Sequence, residues 1–344
     1  AGGHVLHRMI STVVALMQAQ SDRPVRTFTI GFHEAGYNEA EQAKAVAQHL
    51  KTDHTELYID PAHARAVIPD LPDHYDEPFA DASQIPTFLV SELTRKHVTV
   101  SLSGDGGDEL FSGYSRYLWA ETIWRRLGSL PRPAKAVLAG AIRAMPPRSW
   151  DRLFGVLPAG LRPRLAGDRV HKLAEILALD SPDAVFRRLV SQWDAPERVM
   201  PQVAETRGLL FDGSAAQVVP EFVPRMRYLD SLTYLPDDIL AKVDRASMAV
   251  SLEARVPLID HRVVAFSWRL PEHQLVRGRT SKWLLRQVLY RHVPRALIER
   301  PKMGFAVPID AWLRGPLRDW AEDLLQERRL REAGLAVEPV RWQL

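Results

Sequence analysis

Between Ser11 and Glu109 the chain alternates two hydropathy periods, and that alternation restricts its fold more than any other feature. Ser11 to Gln20 fits a helix with Ser11 as its cap, and Val25 to Phe32 (VRTFTIGF) is a β-branched and aromatic run suited to a buried strand. In NEAEQAKAVAQHL, Asn38 and Glu41 form a capping box, and the spacing of alanine, valine and leucine gives the helix an inward stripe. His54 to Ile59 reads as the next strand, Pro86 to Lys96 as a helix, and Val98 to Leu102 (VTVSL) as a third strand. Buried strands separated by helices have one common solution, a parallel sheet covered on both faces.

Beyond about residue 118 the pattern changes to successive amphipathic helices with proline-rich joints, such as Leu130-Pro131-Arg132-Pro133 and Met145-Pro146-Pro147-Arg148. The expected division is therefore an α/β core over residues 1–118 and an all-helical part over 119–344. The frequent arginine and tryptophan of the second part fit exposed helix faces and helix-packing aromatics. With 45 basic against 42 acidic residues, no concentrated stripe points to nucleic acid.

A hydrophobic content of 46% supplies a packed core, and the absence of cysteine excludes disulfides, thiolate nucleophiles and cysteine-held metals. The twelve histidines are scattered without a His-x-x-x-His pair, so they read as ordinary core or surface residues. Val13 to Met17 faintly imitates a signal peptide but is short, interrupted and better read as a buried helix. No run reaches the roughly 20 apolar residues of a membrane span. Cytoplasm is the expected compartment.

Chemistry concentrates in Ser103-Gly104-Asp105-Gly106-Gly107-Asp108-Glu109, where the third strand runs into a glycine-rich turn that opens a helix. The carboxyl end of a parallel strand is where open α/β sheets bind ligands. Glycine lets backbone approach a ligand closely, and Asp105, Asp108 and Glu109 offer hard oxygen ligands suited to magnesium with a nucleotide. The same residues could equally be an Asp-Gly turn whose acids favour a helix N-terminus.

This loop resembles the SG(D/E)GxDE motif of the asparagine synthases, and the resemblance continues in order along the chain. Tyr75 to Thr87 (YDEPFADASQIPT) is similar to the family's DEPFxDxSxIPT, and Leu235 to Ala249 (LPDDILAKVDRASMA) to its LPDDxLxKxDRxSMA. Glu253 to Asp260 (EARVPLID) resembles EARVPxxD. Lys282-Trp283-Leu284-Leu285-Arg286 and Lys302-Met303-Gly304-Phe305 resemble its K-x-x-L-R and K-x-G-F elements. Each has a plain structural reading as well. The stretch from Asp237 to Arg255 reads chiefly as a helix with Ile239, Leu240, Val243 and Met248 packed inward; Lys282 could sit on a solvated face, and Arg300 to Phe305 could be a simple turn.

The resemblance implies a Rossmann-like sheet of the adenine nucleotide α-hydrolase type, followed by the helical part of the same synthetase domain. It implies ATP-dependent amide formation: a carboxylate, that of the aspartate side chain in the named enzymes, becomes an acyl-adenylate with release of pyrophosphate, and ammonia from glutamine attacks it. Asp108 would hold Mg²⁺, Lys282 would neutralise the pyrophosphate, Ser103 and Gly104 would contact the nucleotide, and the Ile30 backbone would meet adenine. Asp105 takes the acid position that assists ammonia addition, where many members have glutamate. Implied partners are a glutaminase domain or subunit and the small-molecule substrates, with a homodimer left open. β-Lactam synthetases and lasso-peptide cyclases share the fold with other carboxylates.

The family's first strand and its S-G-G-x-D-S pyrophosphate loop have no clear counterpart. Here Ala1-Gly2-Gly3 is followed by His4-Val5-Leu6-His7-Arg8-Met9-Ile10, with no aspartate before Asp22. The expectation is that the central strand is missing, that the diglycine is a loop remnant, and that the chain is truncated at both ends without its glutaminase domain. Two function classes follow, an amide-forming ligase and a truncated or decayed copy that does no chemistry.

Overall fold

The structure, a computed structural model, describes residues 3–5, 10–32, 40–127, 130–155, 166–193, 195–299 and 307–342. Among them one five-stranded sheet is formed by β1 (Gly3–Val5), β2 (Arg26–Phe32), β3 (Asp53–Ile59), β4 (Val100–Leu102) and β5 (Glu253–Arg255). The order is β3-β2-β1-β4-β5, and every neighbouring pair is parallel. All five carboxyl ends therefore lie along one edge. Most other described elements are helices, so the chain is a mixed α/β protein built around a small parallel sheet.

Local sequence accounts for the longest ladder. β2 and β3 hold the β-branched and aromatic runs and pair over their whole length, from Arg26↔Asp53 to Phe32↔Ile59. Three helices cover the sheet: α1 (Ile10–Gln18), α2 (Ala40–Leu50) and α3 (Gln84–Arg95). Phe28 and Ile30 of β2 join Ile85, Leu89, Val90 and Leu93 of α3 in the main core. Ile10 and Val14 of α1 meet Ala43 and Ala47 of α2 in a second one. Each fully buried side chain of the size of Phe28 or Leu89 contributes roughly 2 kcal/mol by its removal from water.

The sheet corrects the expectation of a missing central strand. Gly3–Val5 fills that slot, aligned with β2 through Gly3↔Arg26, His4↔Thr27 and Val5↔Phe28, and with β4 through Gly3↔Ser101 and His4↔Leu102. Backbone groups of β2 and β4 that would otherwise lack ladder partners obtain them here. Gly3 is consequently part of a strand and no remnant of a phosphate loop. The residues that follow it, Leu6 to Met9, lie outside the described set.

A second correction falls on the stretch from Asp237 to Arg255, expected to be chiefly a helix with Ile239, Leu240, Val243 and Met248 packed inward. Leu235–Leu240 forms a wide, π-helical turn that leads into α5 (Ala241–Met248), and Glu253–Arg255 then leaves the helix to become the edge strand β5. Beyond residue 118 the chain is thus not all-helical. The inward residues are Leu235, Lys242, Ala246 and Ser247, while Ile239, Leu240 and Val243 are half-buried and Met248 is 55% exposed. The wide turn shifts the helical phase, so a face read at a uniform 3.6-residue period points the wrong way. Ser11 sits inside α1, one residue past its start at Ile10, and is no cap. Asn38 and the Arg300 to Phe305 loop lie outside the described residues.

Two compact units are distinguished. The first comprises Ala1–Tyr114 with Asp230–Ala333 and contains the sheet; the second comprises Ser115–Leu229 with Gly334–Leu344. All described elements of the second are helices, held by a small core of Ala139, Ile142, Ala174 and Leu177 and by the Arg225 to Asp183 ion pair at 2.7 Å. No described helix is long and apolar enough to cross a membrane.

Candidate active site

The acid-bearing loop leaves β4 at the carboxyl edge of the sheet. Ser103 donates its backbone N–H to the Arg255 carbonyl at 2.8 Å, carrying the β4–β5 pairing one step into the loop. Gly106 then takes φ +79°, and a Cβ there would lie 2.6 Å from Ile259 Cγ2, so only glycine fits both the turn and the contact. The turn opens the short helix α4 (Gly107–Leu110). Gly113 closes the loop by donating its N–H to the Asp108 carbonyl at 2.7 Å.

The three acids do not converge. Among the described residues no group of three histidine or acidic side chains is placed to hold a metal. Glu109 is only 1% exposed and accepts a hydrogen bond from the Tyr114 hydroxyl at 2.6 Å. Burial pushes its carboxyl above the ordinary range, more than the Tyr114 hydrogen bond lowers it, and neighbouring Asp108 and Asp230 push the same way. Burial, with the Glu109 charge next, keeps the Tyr114 phenol protonated. Glu109, one of the three acids offered by the loop, thus stands in a buried acid–phenol pair, with the Tyr114 ring edge-on to Tyr234 at 5.8 Å.

Asp108 and Asp105 stay half-buried in the loop. Lys282 reaches Asp108 from far along the chain. It precedes α6 (Trp283–Leu289) with a left-handed backbone, φ +53°, and brings Nζ to 2.8 Å from Asp108 Oδ1. The two side chains are 10% and 19% exposed, so this is a pair largely removed from water. Lys282 does not lie on a solvated face. Magnesium is commonly held by one or two carboxylates together with substrate phosphates, and a donor set of Asp108, with Asp105 three residues earlier, fits a metal that arrives with a nucleotide. It does not resemble an all-protein cage.

The remaining candidates occupy the same edge. Ser103 Oγ is buried without a hydrogen-bond partner among the described residues, an unusual state for a hydroxyl, and Gly104 beside it is half-buried. Ile30 lies two residues before the end of β2. Its side chain packs in the main core, and its backbone extends beyond the last described β1 pairing, Val5↔Phe28. Ser103, Gly104 and Asp105 thus share the loop and Asp108 the short helix it opens, Lys282 is brought to Asp108, and Ile30 stands two strands away with β1 between.

A second constellation joins two motifs distant in sequence. Lys242 of α5 is 2.5 Å from Asp81 Oδ2 and 4.0 Å from Asp238 Oδ1, and Tyr75 donates its hydroxyl to the Lys242 carbonyl at 3.3 Å. Burial acts to raise the Asp81 carboxyl, but the Lys242 ammonium and the Ser83 hydrogen bonds override it and hold the group below its ordinary range. Arg245 and Asp76 add an exposed pair at 2.9 Å. Residue-by-residue reading missed this clasp, because the spacing between its halves carries no periodic signal. It also missed Gly113, where a Cβ would fall 2.0 Å from Lys282 Cε and 2.1 Å from Asp108 Oδ1.

An open parallel sheet with a charged loop at the carboxyl ends of its strands defines a mixed α/β protein. The asparagine synthase family model matches residues 11–341, and the chain belongs to that family. A protein of Mycobacterium tuberculosis (strain ATCC 25618 / H37Rv), provisionally named asparagine synthetase [glutamine-hydrolyzing], is 34% identical over 320 residues, covering 90% of this chain and 45% of its own. Asparagine synthetase [glutamine-hydrolyzing] 1 of Bacillus subtilis (strain 168) is 32% identical over 303 residues, 88% of this chain and 45% of its own. Amidase chyE of Penicillium rubens is 22% identical over 331 residues, 90% and 47% respectively. The chain spans less than half the length of these relatives.

Proposed function

We propose that the chain is the synthetase portion of an ATP-dependent carbon–nitrogen ligase of the asparagine synthase type, with a nucleotide-binding sheet of the adenine nucleotide α-hydrolase kind. The observation that carries the reading is the Lys282 ammonium held 2.8 Å from Asp108 at the carboxyl edge of a parallel sheet. A carboxylate oxygen of the substrate, the aspartate side chain, attacks the α-phosphorus of ATP and displaces pyrophosphate. Ammonia then attacks the acyl carbon, AMP leaves, and a proton passes from nitrogen to a base.

The physical difficulty is charge, since an anion must approach a triphosphate. Lys282 contributes a positive charge for the departing pyrophosphate. Asp108 would hold magnesium, which when bound neutralises phosphate oxygens. Ser103 and Gly104 are the candidate nucleotide contacts of the loop, and the Ile30 backbone is the candidate contact for adenine. Asp105 is the candidate base for the ammonia step. The ammonia source would be a glutaminase domain or subunit.

Asp108→Ala should abolish magnesium-dependent ATP binding in calorimetry and aspartate-dependent ATP–pyrophosphate exchange while leaving the circular dichroism spectrum unchanged. Unaltered affinity in that variant would remove the metal role. Exchange stimulated by a different carboxylate and not by aspartate would keep the chemistry and change the substrate. An amidase-named relative of similar coverage gives that arm its interest.

A further inference from the structure

The ion pair at the loop has a consequence for how ligands enter. We propose that Lys282 is a stand-in cation: in the nucleotide-free protein its ammonium takes the place on Asp108 Oδ1 that magnesium takes when ATP arrives, so that metal and nucleotide bind only together. The inference rests on the nucleotide-binding reading and concerns the order and coupling of binding.

Three observations carry it. The first is the pair itself, 2.8 Å apart with side chains 10% and 19% exposed. A carboxylate this far out of water requires a cation, and one already in place removes the drive for a bare metal ion to bind. Magnesium at its usual distance of about 2.1 Å from the same oxygen would face the ammonium at close range across one atom, with little solvent to screen the repulsion. The second is the fit. A Cβ on Gly113 would overlap both Lys282 Cε and Asp108 Oδ1, so the lysine stem lies in a slot that only glycine leaves open. Lys282 also adopts the left-handed backbone, φ +53°, a conformation that persists where the surroundings over-determine it. The third is the donor set. No group of three acids or histidines among the described residues could hold a metal unaided.

Arrival of ATP changes the balance, because its phosphates offer Lys282 a new anionic partner. The ammonium would move from carboxylate to phosphate, leaving Asp108 to hold a magnesium ion that neutralises phosphate charge. The charge count is satisfied before and after the exchange. Either ligand alone meets resistance: magnesium from the ammonium, and metal-free ATP from an Asp108 left without a cation.

The test is binding of Mn²⁺, as a magnesium probe, to the chain with and without ATP, read by electron paramagnetic resonance. The wild-type chain should bind Mn²⁺ weakly alone and at least tenfold more tightly with ATP, within the usual range of coupling between sites. Lys282→Met should bind Mn²⁺ without nucleotide roughly tenfold more tightly than wild type, and ATP should add little further gain. Asp108→Asn should abolish Mn²⁺ binding in both backgrounds. Should Lys282→Met fail to fold, Lys282→Gln retains a donor for Asp108 and is expected to shift Mn²⁺ affinity in the same direction. If a folded Lys282 variant binds Mn²⁺ no more tightly than wild type, or if the wild-type chain binds it equally well without ATP, the stand-in role is wrong. Failure of the functional reading looks different: ATP would bind to none of the proteins, while Lys282→Met would still gain nucleotide-free Mn²⁺.

Discussion

Ser112 combines a strained backbone with a buried polar side chain. Its backbone is left-handed at φ +54°, it is 1% exposed, and its Oγ finds no partner among the described residues. For a residue with a Cβ that conformation costs about 1–2 kcal/mol, and a buried hydroxyl without a partner adds to the cost. Glycine would relieve both and lose about 0.5–1 kcal/mol in chain entropy. Ser112→Gly should therefore raise the urea midpoint by an amount equivalent to about 1 kcal/mol; a lowered midpoint would mean that the hydroxyl is used in a way its contacts do not reveal. Glu109, three positions earlier, makes a related point about single residues. The sequence offers three neighbouring acids with the same apparent use, but chain direction sends Glu109 to Tyr114 in the interior and Asp108 to Lys282. Acidity was legible from the letters. Which acid faces a ligand depends on φ at Gly106 and on a lysine far along the chain.

Elements were legible in proportion to their length. β2, β3, α2 and α3 carry enough residues for their periods to be read, and their observed bounds depart little from those expected. β1 and β5 have three residues each, too few for any period. Their strand state comes from ladder partners, β2 and β4 on either side of β1 and β4 beside β5, and tertiary pairing of this kind leaves no local signature. The clasp between Asp81 and α5 belongs to this scale too. With side chains 25% and 9% exposed, Asp81 and Lys242 join two elements that sequence alone gives no reason to pair. Lys242→Met should destabilise the fold by about 3 kcal/mol, since it strands a shielded carboxylate. Adding Asp81→Asn should recover part of that loss; full additivity of the two changes would mean that the pair contributes no coupling. The clasp also sets a pH dependence. The folded Asp81 carboxyl titrates below its ordinary value, so its contribution is fully present above the unfolded pKa of about 4 and is lost as pH falls through the lower folded value. Acid melts of wild type and Asp81→Asn should diverge above about pH 4 and converge below it.

For the whole molecule, the question is how fast a chain with this sheet but without the family's S-G-G-x-D-S sequence can work. The central strand is in place, which removes the structural half of the expected defect. The chemical half rests on composition: between Val5 and Ile10 stand Leu6, His7, Arg8 and Met9, without an acid, where the family's S-G-G-x-D-S supplies its second magnesium ligand. One carboxylate would then do the work of two, and the phosphates would meet a different set of amides. Loss of a single preorganised electrostatic contact typically slows a reaction by about 10²–10³. Aspartate-dependent ATP–pyrophosphate exchange by this chain should accordingly run about 10²–10³ below that of a version carrying S-G-G-x-D-S in place of residues 6–9. Because β1 already fills the centre of the sheet, the replacement needs no new strand, and both proteins should melt alike. Equal exchange rates would show that Leu6 to Met9 serves as a working loop in its own right. Rescue by the replacement, without a change in melting temperature, would assign the defect to phosphate and metal contacts and leave Lys282, Asp108 and Asp105 competent around them.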